Sequence, residues 1–90
     1  MLMLPAEITH AYARTCVRML AQALQGERES AVVADATALA KFDSSALAVL
    51  LECRREALVM GKTFSVRGLP ARLRSLAALY GVGELLPAVP

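Results

Sequence analysis

The stretch Lys41-Phe42-Asp43-Ser44-Ser45-Ala46-Leu47-Ala48-Val49-Leu50-Leu51 decides how the chain is read, because a carboxylate and two hydroxyls stand directly before an unbroken apolar run. That order marks a helix N-terminus, where the first backbone N–H groups lack a carbonyl one turn back and short polar side chains accept from them. Asp43 or Ser44 is the expected N-cap. From Ser45 to Met60 the only charges are Glu52, Arg54, Arg55 and Glu56, and the first two turns have none. A helix so nearly apolar all round is either covered on both sides or docks a partner. The helix's partial positive charge gathers at the same turn, so a partner's acidic group, or a phosphate on a serine, is compatible with it. Asp43-Ser44-Ser45 is therefore the one functional locus the sequence offers.

Immediately upstream, Ser30-Ala31-Val32-Val33-Ala34-Asp35-Ala36 is an apolar, β-branched run without alternation, the pattern of a central strand covered on both faces. Asp35 at its end suits the C-terminal edge of a parallel sheet, where loops and ligands gather, and suits an ordinary exposed strand end as well. Downstream, Gly61-Lys62 stops the helix and Thr63-Phe64-Ser65-Val66-Arg67 alternates as a second strand. A strand, a complete helix and another strand predict a right-handed crossover with parallel pairing.

Further out, Met1-Leu2-Met3-Leu4-Pro5 reads as a short edge strand stopped by proline, and Ala6-Glu7-Ile8 as a turn. Thr9 is the expected cap of a helix with the apolar stripe Tyr12, Cys16, Met19, Leu20, Ala23 and Leu24, while Arg14, Arg18, Gln22 and Gln25 take the other face. Gly26 is its stop, and Glu27-Arg28-Glu29 a solvated link. Beyond the second strand, Gly68-Leu69-Pro70 turns the chain, and Pro70 at a first helical position leads into Leu73, Leu76, Ala77 and Tyr80. Gly81 and Gly83 end that helix. Glu84-Leu85-Leu86-Pro87 reads equally as an added strand or as packed coil.

Ninety residues suffice for one modest core, so residues 1–90 are expected to form a single domain. An apolar fraction of 57% and a mean hydropathy of +0.49 are high for that size, and a partner that covers surplus apolar surface is the expected remedy. No apolar run approaches the roughly 20 residues of a membrane span. The N-terminus lacks a basic leader and a cleavage pattern, which predicts a cytoplasmic chain, and Cys16 and Cys53 within apolar helical patterns predict reduced, buried thiols. A net charge of +2, with only Arg67, Arg72 and Arg74 clustered and no aromatic platform, argues against nucleic acid.

Catalytic sets are missing. His10 is the single histidine, so no histidine-based metal spacing exists, and Ser44 and Ser45 have no base nearby and no G-x-S-x-G elbow. Gly81-Val82-Gly83 lacks the Lys-Ser/Thr ending of a phosphate loop. No enzymatic activity, metal or cofactor is expected.

The run Ala34-Asp35-Ala36-Thr37-Ala38-Leu39, followed by Phe42-Asp43-Ser44-Ser45-Ala46-Leu47-Ala48-Val49-Leu50-Leu51, resembles the D-[ST]-[SG]-G-L signature of STAS domains, the family of anti-sigma-factor antagonists and transporter-associated modules. Leu4-Pro5-Ala6-Glu7-Ile8-Thr9 is similar to the family's passage from strand to helix, and Leu79-Tyr80-Gly81-Val82 to its ending. The resemblance covers about residues 1 to 86 and implies an α/β fold: a mixed, mainly parallel sheet of about four strands with helices packed on it. Two departures stand out. Ala46 takes the place of the family's usual glycine, and the first edge strand of the family's sheet is missing, which implies an open edge suited to partner contact or self-association.

The family has two relevant branches. In its transport branch the module has no enzymatic activity and docks on the cytoplasmic ATPase subunit of an ABC transporter moving phospholipid between bacterial membranes. In its antagonist branch the serine matching Ser44 is phosphorylated by a kinase that is also the anti-sigma factor, and the phosphate switches binding off. The shortness of the chain and its Leu-Pro-Ala-Glu-Ile-Thr opening resemble the transport branch more closely. On that resemblance the partner-binding residues are Lys41, Asp43, Ser44, Ser45, Ala46 and Leu47, with Ser44 a contact in one branch and a phosphoacceptor in the other.

Overall fold

A computed structural model describes residues 1–89. Three parallel strands form the main sheet in the order β1 (Leu2–Met3), β3 (Ala31–Asp35), β5 (Thr63–Arg67). The central strand is thus the β-branched run, with Val32 opposite Phe64 and Ala34 opposite Val66. Parallel neighbours need a crossover between them. Helix α1 (Ala13–Gln25) supplies the one from β1 to β3, and α2 (Ser45–Val59) the one from β3 to β5. A last helix, α3 (Ala71–Leu79), follows β5.

The two crossover helices pack against each other, α1 also meeting β1 and α2 meeting β5, so both lie on one face of the sheet. Leu2, Val32, Ala34, Phe64 and Val66 join Cys16, Leu20 and Leu24 of α1 and Leu47, Val49, Leu50, Cys53 and Ala57 of α2 in one buried cluster. Removing a leucine side chain of that kind from water contributes roughly 1.5–3 kcal/mol. The intervening strand residues are more open: Ala31 is exposed, Val33 and Asp35 are half-buried, and Met3 is exposed. Cover on both faces of β3 is therefore not what forms. With α1 and α2 on one side, the alternation of the pleat decides burial even where the sequence shows none.

Ala6-Glu7-Ile8 is more than a turn. Glu7–Ile8 is a strand, β2, paired in parallel with β4 (Lys41–Phe42), and the Ala6 carbonyl accepts from the N–H groups of Ala40 and Lys41 at 2.8 and 2.9 Å. Thr9 does not cap a helix with its side chain. Its hydroxyl donates to Glu7 Oε2 at 3.0 Å, and a 3-10 turn over His10–Tyr12 leads into α1. The buried face of α1 is centred on Cys16, Leu20 and Leu24, with Ala13 and Val17 beside them, whereas Tyr12, Met19 and Ala23 are exposed. Cys16 and Cys53 are both free and buried.

At the other end, α3 starts at Ala71, and Pro70 is its cap rather than its first turn, its carbonyl accepting from Arg74 N–H at 2.9 Å. Gly83–Leu85 forms a 3-10 turn. The chain then lies along β5: Val66 N–H donates to the Pro87 carbonyl at 2.8 Å and Val89 N–H to the Val66 carbonyl at 3.0 Å, a single parallel rung at Ala88. The main sheet is thus three strands and this rung, with β2 and β4 extending it as a separate pair, where the resemblance implied about four strands.

Candidate functional site

Parallel pairing brings the C-terminal ends of β3 and β5 to one edge, and the β2–β4 pair stands beyond it with the turn into α2 at its tip. Asp43 closes that turn. One carboxylate oxygen, Oδ1, accepts from Ser45 N–H at 2.9 Å and from the Ser45 hydroxyl; the other, Oδ2, accepts from His10 N–H at 3.0 Å. Asp43 is therefore the side chain that caps α2, while Ser44 stands at the helix boundary and makes no cap hydrogen bond. The carbonyls of Asp43 and Ser44 take up the N–H groups of Ala46 and Leu47, both at 3.1 Å. The N–H groups of Ser45, Ala46 and Leu47 thus all have acceptors within the chain.

These bonds favour the charged form of Asp43. The Ser45 hydroxyl first, then the His10 and Ser45 N–H groups, hold its carboxyl below the usual aspartate range. A carboxylate so held is a weak base. Its two oxygens are taken up by the Ser45 and His10 groups that close the turn.

Ser44 is exposed, and its hydroxyl makes no hydrogen bond among the described residues. Lys41 is exposed beside it on β4. Phe42 is half-buried, and the exposed Arg72 guanidinium of α3 lies 5.8 Å from its ring centroid, a cation–π contact between α3 and β4. To the hydrogen bonds on Asp43 the His10 side chain adds a smaller electrostatic pull of the same sign. Of the six residues expected to touch a partner, Lys41, Asp43 and Ser44 are exposed and Ser45 is half-buried with its hydroxyl committed to Asp43. Ala46 and Leu47 are buried, at 0% and 4% exposure, and lie in the core beneath the turn. Three neighbours went unread in the sequence. His10 reaches Asp43 through its backbone across 33 positions, Arg72 of α3 meets the Phe42 ring of β4 across 30, and Ala48 is exposed one helical turn after Ser44.

A second aspartate repeats the local geometry. Asp35, at the end of β3, accepts from Thr37 N–H at 2.9 Å and from the Thr37 hydroxyl at 2.6 Å, and these bonds lower its pKa, with Arg67 adding to the effect. Its carboxylate is occupied in closing its own turn.

Parallel strands, two crossover helices on one face and an aspartate-capped turn at the strand-end edge define an α/β module of the STAS type. The sequence profile of the family described as "Mlab, STAS domain" matches residues 1–87, and the chain belongs to that family. Among solved structures, the anti-sigma factor antagonist SpoIIAA in its unphosphorylated form shares the fold, with a TM-score of 0.72 over 98% of this chain and 76% of that one at 16% identity. No curated protein matches. No helix among the described residues is long and apolar enough to cross a membrane.

Proposed function

We propose that this STAS domain is a non-enzymatic module that docks through the Asp43–Ser44 turn on the ATPase subunit of an ABC transporter moving phospholipid, and so stabilises or regulates that subunit. The match to the Mlab-described family over residues 1–87 carries the reading. The turn supports it: Ser44 presents a free hydroxyl on a frame whose N–H groups are already satisfied, so a contact there costs the fold nothing. Docking stabilises the assembled ATPase by mass action and holds the module in the cytoplasm at the inner face of the inner membrane, in a system that maintains outer-membrane lipid asymmetry.

The test is co-purification of the full chain with the ABC ATPase of the same cells, for wild type and Ser44→Arg. Wild type is expected to co-elute; the variant is expected to fold with an unchanged melting temperature and to elute alone. A well-folded Ser44→Arg protein that still co-elutes would place the interface elsewhere.

The likeness to SpoIIAA favours one other reading, an anti-sigma-factor antagonist switched by a serine kinase at Ser44. A phosphate there would stand beside the Asp43 carboxylate, and like-charge repulsion would loosen the bonds to His10 and Ser45. Mass spectrometry of the Ser44 peptide separates the two: phosphate together with a co-purifying kinase supports the switch, an unmodified serine with an ATPase supports docking.

A further inference from the structure

A groove of about 530 Å³ runs between α1 and α2. Its floor is apolar and made of small or medium side chains: Ala13 and Val17 from α1, Ala48 and Val49 from α2. One lip carries Arg14 and Arg18, four residues apart and therefore on one side of α1. Both are exposed, and neither makes an ion pair among the described residues. Helix α1 contains no acidic residue at all. The acid on the opposite lip, Glu52, is already bonded to Arg55 at 3.2 Å. Two cations thus border an apolar trough with no counter-charge of their own.

The groove opens onto the turn. Ser44, Ala48 and Glu52 are each four residues apart, so they form one stripe along α2, and the His10 N–H on Asp43 brings the start of the α1 segment to the same place. Any partner seated on the Ser44 hydroxyl has the groove as its next surface. Alanines at both walls let a helix backbone approach to the 8–10 Å of packed helices.

We infer that the α1–α2 groove receives an amphipathic α-helix of the docking partner, with an apolar row against Ala13, Val17 and Ala48 and acidic side chains at i and i+4 against Arg14 and Arg18. This deepens the docking reading and rests on it for the partner's identity, while the chemistry of the occupant follows from the groove. An apolar floor without an aromatic platform does not suit nucleic acid, and a flat strand would leave the trough unfilled.

The experiment uses the full ¹⁵N-labelled chain and two synthetic helical peptides of about five turns. Both have the same leucine row, and one carries Glu and the other Lys at two i, i+4 positions beside it. The Glu peptide is expected to shift the amide signals of Ala13 to Arg18 and Ala48 to Glu52, and to bind more weakly as salt is raised. The double variant R14E/R18E is expected to lose about tenfold or more in affinity for the Glu peptide and to prefer the Lys peptide instead. Equal binding of the two peptides, shifts mapping outside the groove, or no shifts at all overturn the inference. Co-elution with the ATPase separates it from the docking reading. If no ATPase binds wild type while the Glu peptide seats in the groove, the partner is wrong and the groove assignment stands. If the ATPase binds R14E/R18E as well as wild type, the groove assignment falls and the docking reading stands.

Discussion

Gly68 offers a quantitative check on how the strand-end edge is built. It follows β5 with φ +66°, and a methyl placed on it would collide with Cγ2 of Thr37 while lying 3.4 Å from Thr37 Cα and Cβ. Thr37 cannot simply swing away. Its N–H and hydroxyl are both held by Asp35 Oδ1, and the turn that carries it is strapped to β5 by Ala36 N–H on the Arg67 carbonyl at 2.8 Å. Gly61 and Gly81 have similar angles, +74° and +73°, but open space where a methyl would go. The three glycines therefore separate backbone strain from collision.

A left-handed alanine costs roughly 1–2 kcal/mol, offset by about 0.4–1 kcal/mol from the stiffer unfolded chain, so G61A and G81A should each lose about 1 kcal/mol. At Gly68 a methyl forced against a fixed neighbour adds about 1–3 kcal/mol, which puts G68A at roughly 2–4 kcal/mol. For a chain of this size that corresponds to a melting temperature lower by about 10–25 °C, against about 5 °C for the two controls. Urea denaturation of the three variants measures the difference. T37S, which keeps the hydroxyl and removes Cγ2, is expected to restore most of the excess, giving a coupling of about 1–3 kcal/mol between the two positions. Equal losses at all three glycines, or a G68A deficit untouched by T37S, would refute the assigned collision.

Three further outcomes follow from the same geometry. The Asp43 carboxyl, followed by NMR, should titrate below the ordinary aspartate value of about 3.9, and S45A should raise its midpoint without fully restoring it, because the His10 N–H remains. A folded pKa below the unfolded one means that this contribution to stability is complete above the unfolded value and is lost as pH falls through the folded one. The stability gap between wild type and Asp43→Asn should accordingly shrink on acidification, and a gap that widened would contradict the assignment. Burial pushes the Cys53 thiol up to about 12 and raises that of Cys16 too, with Glu7 adding to the latter, so a disulfide-exchange reagent at pH 8 should label both only on unfolding; rapid labelling of Cys53 in the native chain would contradict its burial. Leu50, fully buried in α2, should cost about 2–5 kcal/mol when replaced by alanine, and a loss under 1 kcal/mol would show that the core closes without it.

The elements that carry periodicity or punctuation could be read directly. The β-branched run gave the central strand within one residue at each end, α2 begins at Ser45 as its polar cluster predicts, and the glycines after α2 and α3 mark where each helix stops. What was not legible lacks a local signal. Two-residue strands such as Glu7–Ile8 and Lys41–Phe42 are too short to show alternation, and they exist because each pairs with the other across more than thirty positions. The one-sided burial of β3 was hidden because alanine and valine stand on both faces. Position within the turn was similarly underdetermined: Ser45, Ala46 and Leu47 continue the same polar-to-apolar sequence, and only the helix's rotation buries the last two while leaving Ser44 and Ala48 in solvent.

That rotation separates folding from the proposed docking within a single turn. The bonds that start α2 use Asp43, Ser45 and backbone carbonyls, and the packing beneath uses Ala46, Leu47 and Val49. The Ser44 side chain takes part in neither. A side chain outside both the hydrogen-bond frame and the core can change in size or charge with little effect on the fold, while its backbone, whose carbonyl accepts from Leu47 N–H, stays fixed in the first turn of α2. Asp43 behaves oppositely, since its two oxygens join α2 to the segment before α1 and so set the mouth of the groove. Ser44→Arg should therefore alter docking and leave the melting temperature, whereas Asp43→Ala should disturb the amide signals of His10, Ser45 and the first turn of α1 together, even with no partner present. Signals changed only at Ser45 would mean that the His10 bond does not couple the two helices, and the turn and the groove would then be independent surfaces.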